Sequence, residues 1–235
     1  MGRYGRVIAV TGAIGGVGTT VAAAAAALGL IGRGEPAALV DLDADAPGIE
    51  LLLGIEDVRG ARWPELSAAR GDVDGETLVA ALPSWRDVPV VSGRRRAGPP
   101  SDDVVLDVCA GIVRSGRALV LDLPRPSSWT GAARALLGGC DTAVLVTPLT
   151  FPGAAGAELV RDQLVAAGVR DVRVVARGPA PGQVDPDALG AALGLPVDGM
   201  LERDRSVPAA IERGDGLPAG RGAVARLAAN LGAAL

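Results

Sequence analysis

Short apolar runs recur along the chain, and most are followed by a stretch of small and apolar residues at helical spacing. Residues 7–10 (VIAV), 37–40 (AALV), 88–91 (VPVV), 118–122 (ALVLD), 143–147 (AVLVT) and 172–176 (VRVVA) are too short for helices, and most are rich in valine. Each predicts a buried strand. Helices are predicted over 20–31, 77–82, 101–114, 153–167 and 186–193, and a weak strand at 199–201 precedes helices over 205–213 and 219–235. Residues 56–84 are the least regular, with Trp63-Pro64 and several Gly-Asp turns. Strands that alternate with helices require crossover connections, so the expected fold is α/β: a doubly wound, mostly parallel sheet with helices on both faces.

Composition narrows the chemistry. With 235 residues, 49% of them hydrophobic, the chain can bury one substantial core, and a single domain over 1–235 is expected. There is no lysine and no histidine, so all 23 basic residues are arginine. Imidazole bases, histidine metal ligands and lysine Schiff bases are thereby excluded. Net charge −4 argues against a surface that grips nucleic acid everywhere. Arg94, Arg95 and Arg96 nevertheless form a local basic run, which reads as a solvated loop with an anion or DNA contact as the alternative. Cys109 and Cys140 match no paired-ligand spacing and read as small buried thiols of a reducing cytoplasm. No apolar stretch is long enough to span a membrane, and Val224, Leu227 and Leu231 give the last helix a modest stripe suited to packing on the core.

Between the first strand and the first helix lies TGAIGGVGTT, Thr11 to Thr20. A strand, a glycine loop and a helix N-terminus make an anion cradle, because backbone N–H groups and the positive helix end converge on one point. The loop is Ala13, Ile14, Gly15, Gly16, Val17, Gly18, Thr19 and Thr20, and the lysine that a phosphate-binding loop carries before its hydroxyl residue is missing. Two further features fall at strand C-termini, where ligands collect in open α/β sheets: Asp41, Asp43 and Asp45 after the second strand, and Asp122 at the end of ALVLD. In a phosphate site Thr20 supplies a hydroxyl to Mg²⁺, and Asp122 orients the metal's water shell. Glycines alone would also suit a dinucleotide fold, but the order of the acidic strand ends favours the phosphate loop.

These motifs resemble the ParA/MinD superfamily of deviant-Walker ATPases over nearly the whole chain. The family loop, Lys-Gly-Gly-x-Gly-Lys-Thr-Thr, aligns with Ile14 to Val21, so Ile14 stands for the signature lysine and Thr19 for the P-loop lysine, while Thr20 keeps the metal-ligand position. The resemblance implies ATP and Mg²⁺ as cofactors, with Asp43 as the water-orienting residue and a metal ligand partly through water, and Asp122 as the Walker B acid. It also implies that Arg177 lies beside the adenine. LGLPVDGMLERDRSVPAAIERGD is similar to the family's closing segment, with Glu202 where proline is usual. Within the superfamily, RWPELSAARGDVDGETLVAALPSW (62–85) and Leu123-Pro124-Arg125 resemble actinobacterial TadZ/CpaE-like proteins, which accompany pilus or secretion machinery and have been labelled septum-site determining.

Loss of both lysines bears on mechanism. A charge-assisted hydrogen bond is worth about 1.5–3 kcal/mol, and a lost transition-state donor costs about 10²–10³ in rate. Ile14 also cannot reach a partner's phosphates across a sandwich dimer, as the signature lysine does in relatives. The expectation is therefore a nucleotide-binding or degenerate ATPase that acts as a cytoplasmic scaffold for a Tad-type pilus or secretion system. Its partners would be an assembly ATPase or other assembly proteins, a second copy of the chain, and the pole, septum or inner membrane face. One alternative is an active positioning ATPase in which Arg125 or one of Arg94, Arg95 and Arg96 replaces lysine. The other is a partition-type protein that binds DNA nonspecifically through that arginine run.

Overall fold

The structure is a computed structural model, and it describes residues 4–43, 48–93, 100–180 and 184–235. Its frame is one sheet of eight strands in the order β3-β4-β2-β5-β1-β6-β7-β8. The strands are β1 (Val7–Gly12), β2 (Ala37–Asp41), β3 (Ser84–Trp85), β4 (Val88–Val91), β5 (Ala118–Asp122), β6 (Thr142–Pro148), β7 (Val172–Gly178) and β8 (Val197–Glu202). All neighbours run parallel except the short β3–β4 pair at one edge. The doubly wound sheet expected from the alternation of runs is therefore present.

Alternate residues of each strand feed two apolar layers. Ala9 of β1 joins the layer under α3 (Gly75–Ala81), α4 (Asp102–Arg114), α5 (Gly131–Gly138), α6 (Phe151–Ala166) and α7 (Pro186–Leu193). Ile8 and Val10 join the opposite layer, with α1 (Thr19–Gly32), α2 (Ile49–Leu53) and α9 (Ala223–Ala234). A further short helix, α8 (Ser206–Glu212), precedes α9. The six alanines of α1, Ala22 to Ala27, are fully buried, which lets this helix lie close to the sheet. It also meets α9 closely, since a Cβ on Gly29 would stand 2.2 Å from the Ala228 carbonyl and one on Gly232 2.4 Å from that of Gly29. Val224, Leu227 and Leu231 of α9 are buried in this layer, and no described helix is long and apolar enough to cross a membrane.

Three elements were not anticipated. Helix α2 is five apolar-rich residues, too few to show a period, α5 is framed by glycines, and β3 is two residues defined only by pairing with β4. The last helix begins at Ala223, four residues after the expected start, because Gly222 with φ 84° precedes it.

Candidate functional site

The parallel order brings the ends of β1, β2 and β5 together. Asp41 pairs with Asp122 across the β2–β5 register, and Val10 of β1 pairs with Asp122 on its other side. The loop leaving β1 is anchored where Ala13 N–H donates to Val146 O at 2.9 Å. It turns through Gly16 (φ 73°) and Gly18 (φ 93°), a left-handed conformation that glycine adopts without strain. Gly18 then caps α1, whose first turn carries no acidic residue and no side-chain cap bond. Its leading amides face a cleft of about 530 Å³, lined by the loop together with Asp43, Asp122, Leu123 and Arg125.

Both lysine positions line the cleft, and neither carries a cation. Thr19 folds back under the loop, where a Cβ on Gly12 would stand 2.6 Å from its Oγ1. Gly12 is thus required for the cradle's shape, although the sequence marks it only as the residue after the strand's threonine. Ile14 is half-buried and packs on α6, where a Cβ on Gly156 would stand 2.9 Å from Ile14 Cγ2 and 2.7 Å from Ala13 O. Gly15 and Gly16 are exposed at the cleft mouth.

The acidic pair is buried. Asp122 is held well above the usual carboxylate range by burial and by the charge of Asp41 and Asp43, against the opposing hydrogen bond from Thr20. Burial also pushes Asp41 up to about 6, although its carboxylate accepts from the backbone N–H of Asp43 at 2.9 Å and of Ile49 at 3.2 Å. Two neighbouring buried carboxylates, one of them hydrogen-bonded to a hydroxyl, are a costly arrangement that a cation would relieve. No group of three His, Cys, Asp or Glu side chains among the described residues is arranged to hold a metal. The donors present fit Mg²⁺, which keeps several waters and takes one or two protein oxygens beside phosphate.

Of the remaining candidate residues, Arg125 is exposed and is the one basic side chain among the described residues lining the cleft. Its position is set by the preceding carbonyl, because Pro124 O accepts from Trp129 Nε1–H at 3.0 Å and from Thr11 Oγ1–H at 3.2 Å. Arg177 lies outside the cleft, donating to the carbonyls of Leu201 and Glu202 at 3.0 and 2.6 Å. It borders a side pocket of about 90 Å³ that shares Gly18 and Val21 with the cleft. Glu202 is ion-paired with Arg226. Asp45 and Arg94, Arg95 and Arg96 lie outside the described residues.

No family model matches the chain. An uncharacterized protein of Mycobacterium tuberculosis is 36% identical over 218 residues, covering 91% of this chain and 59% of that protein. The chain thus spans little more than half the length of that relative. A putative septum site-determining protein MinD of Nephroselmis olivacea is 25% identical over 221 residues, 90% of this chain and 79% of that protein. Among solved structures, a ParA family ATPase from Chlorobium tepidum superposes with TM-score 0.81 at 14% identity, covering 98% of this chain and 99% of the other. The septum site-determining protein MinD of Pyrococcus horikoshii, solved with Mg-ADP, gives TM-score 0.75 at 19% identity over 97% of this chain and 94% of the other. The chain therefore has the fold of the ParA/MinD ATPases.

Proposed function

We propose that the chain is a nucleotide-binding positioning protein of the ParA/MinD kind whose hydrolytic machinery is degenerate. It would serve as a scaffold in a Tad-type pilus or secretion system, with an assembly ATPase or other assembly proteins as partners. The observation that carries this is the division within one cleft. The backbone cradle, Thr20, Asp43 and Asp122 are kept, while the lysine positions hold an isoleucine packed on α6 and a threonine folded under the loop. Backbone amides and a metal-ligating hydroxyl suffice to bind a nucleotide weakly, whereas stabilising charge that develops on a transferred phosphoryl group needs cations. Mg-ADP in the archaeal MinD structure makes an adenine nucleotide with Mg²⁺ the ligand to test first. When bound, Mg²⁺ would supply charge neutralisation, held by Thr20 and Asp122, with Asp43 acting through water. The pilus or secretion assignment draws on the TadZ/CpaE-like segment at 62–85.

Calorimetric titration of the purified protein with ATP or ADP and Mg²⁺ is expected to show weak binding that Thr20→Ala reduces, and phosphate release no faster than in that variant. Robust Mg²⁺-dependent turnover would overturn this reading. A second reading, an active ATPase with a substitute arginine, gains from the place of Arg125 on the cleft wall. Under it, Arg125→Gln abolishes turnover with the fold intact; an unchanged rate rejects the assignment.

A further inference from the structure

Beneath the cleft, the segment that carries the acidic residues is held by a pair of neighbouring side chains from the irregular region, Arg62 and Trp63. The Trp63 indole N–H donates to Asp41 O at 2.9 Å, and its backbone N–H donates to Ser92 O at 2.9 Å. Arg62 Nε donates to Glu50 Oε2 at 2.7 Å, and Ser92 Oγ–H donates to the same oxygen at 3.2 Å. The rest of the guanidinium is spent on carbonyls at 55–60, including Ile55 and Val58, each at 3.0 Å. Both Arg62 and Trp63 are 4% exposed. Glu50 is the second residue of α2, and the first, Ile49, donates its amide to the Asp41 carboxylate at 3.2 Å. The two ends of the connection from β2 to α2 are therefore fixed, one through the Asp41 carbonyl and the other through Glu50.

We infer that Arg62 and Trp63 are positioning residues that hold Asp41, Asp43 and the start of α2 in the arrangement a divalent cation meets in the cleft. The cation role rests on the nucleotide-site reading above; the bracing itself does not. The backbone unit that the indole grips belongs to the residue whose carboxylate faces Asp122 across the β2–β5 register. Loosening that unit frees the carboxylate and the Asp43 amide bonded to it together. A network that merely filled the core would not need to end on this carbonyl.

The test is Trp63→Phe, which keeps the ring and removes the donor. Amide hydrogen exchange at Asp43 and Ile49 is expected to quicken about tenfold, with α6 amides unchanged. Affinity for ADP with Mg²⁺ is expected to fall about tenfold, while affinity for ADP in EDTA stays the same. A double variant, Arg62→Met with Glu50→Gln, avoids stranding a buried charge and should quicken exchange at Ile49 in the same way. Unchanged exchange at both amides overturns the brace. Faster exchange with unchanged Mg²⁺-dependent affinity overturns its role toward the cation. If the unaltered protein binds no ADP with or without Mg²⁺, the nucleotide reading fails, and the exchange measurement still decides the brace.

Discussion

Asp122 carries a carboxylate at a place where charge is costly. It is 3% exposed, its neighbour across the register is Asp41, and the side chain opposing its raised pKa is the Thr20 hydroxyl. In cation-free buffer at pH 7.5, Asp122→Asn should raise the melting temperature, because one buried charge and its repulsion of Asp41 both disappear. The rise would be about 2–4 °C for each kcal/mol recovered. The pH dependence has a definite sign. For a carboxyl held above its ordinary value, the folded protein takes up the proton first, so the unaltered chain gains stability as pH falls from above the folded value toward the unfolded one. The advantage of the variant should therefore shrink as pH falls through the raised folded value of Asp122 and be small near the ordinary 3.8. Thermal melts of both proteins across that range check this, and a variant no more stable at pH 7.5 would show that the two charges do not repel. Asp122 lines the cleft, so on the nucleotide-site reading the substitution should also remove the Mg²⁺-dependent part of nucleotide binding.

At the scale of elements, what the chain discloses depends on how local the cause is. The central strands show as valine-rich apolar runs because a parallel strand buried on both faces has no polar side to alternate with. The phosphate loop shows for a similar reason: Gly16 and Gly18 need positive φ, and strand, turn and helix adjoin in sequence. Helix α2 does not show, because five residues hold less than two turns, and what fixes it is the Asp41 carboxylate at its first amide and Arg62 on Glu50. The irregular region at 56–84 has no period for a related reason. Its arginine and tryptophan are spent on carbonyls and carboxylates of other elements, so its order is tertiary. The role of Trp129, which holds the carbonyl before Arg125, is hidden in the same way. Substitution of both lysines was plain from the residues, but where the replacements point was not. That Thr19 folds toward Gly12 and Ile14 toward Gly156 depends on two glycines, one of them on a helix more than 130 residues away.

At the scale of the molecule, the cleft opens at the C-terminal ends of the central strands, with Gly15 and Gly16 exposed at its mouth, so a second copy could face the first across it. In the sandwich dimer that the family resemblance implies, a cation reaches outward to the other copy's phosphates. The position that would supply one holds Ile14, whose side chain is turned down onto α6, and Thr19 is folded under its own loop. Net charge −4 on each copy adds a weak mutual repulsion at low salt. On the degenerate reading, sedimentation velocity should therefore show the same species without ligand and with ATP and Mg²⁺. Restoring one charge by Ile14→Lys need not change this, because the α6 contact that Ile14 makes would be lost with it. A nucleotide-dependent dimer of the unaltered chain would instead point to an arginine crossing the interface. Arg125, exposed on the cleft wall, is then the first residue to replace, and loss of the dimer in Arg125→Gln, with nucleotide binding by the single chain retained, would separate an arginine that acts across the interface from one that acts within its own cleft.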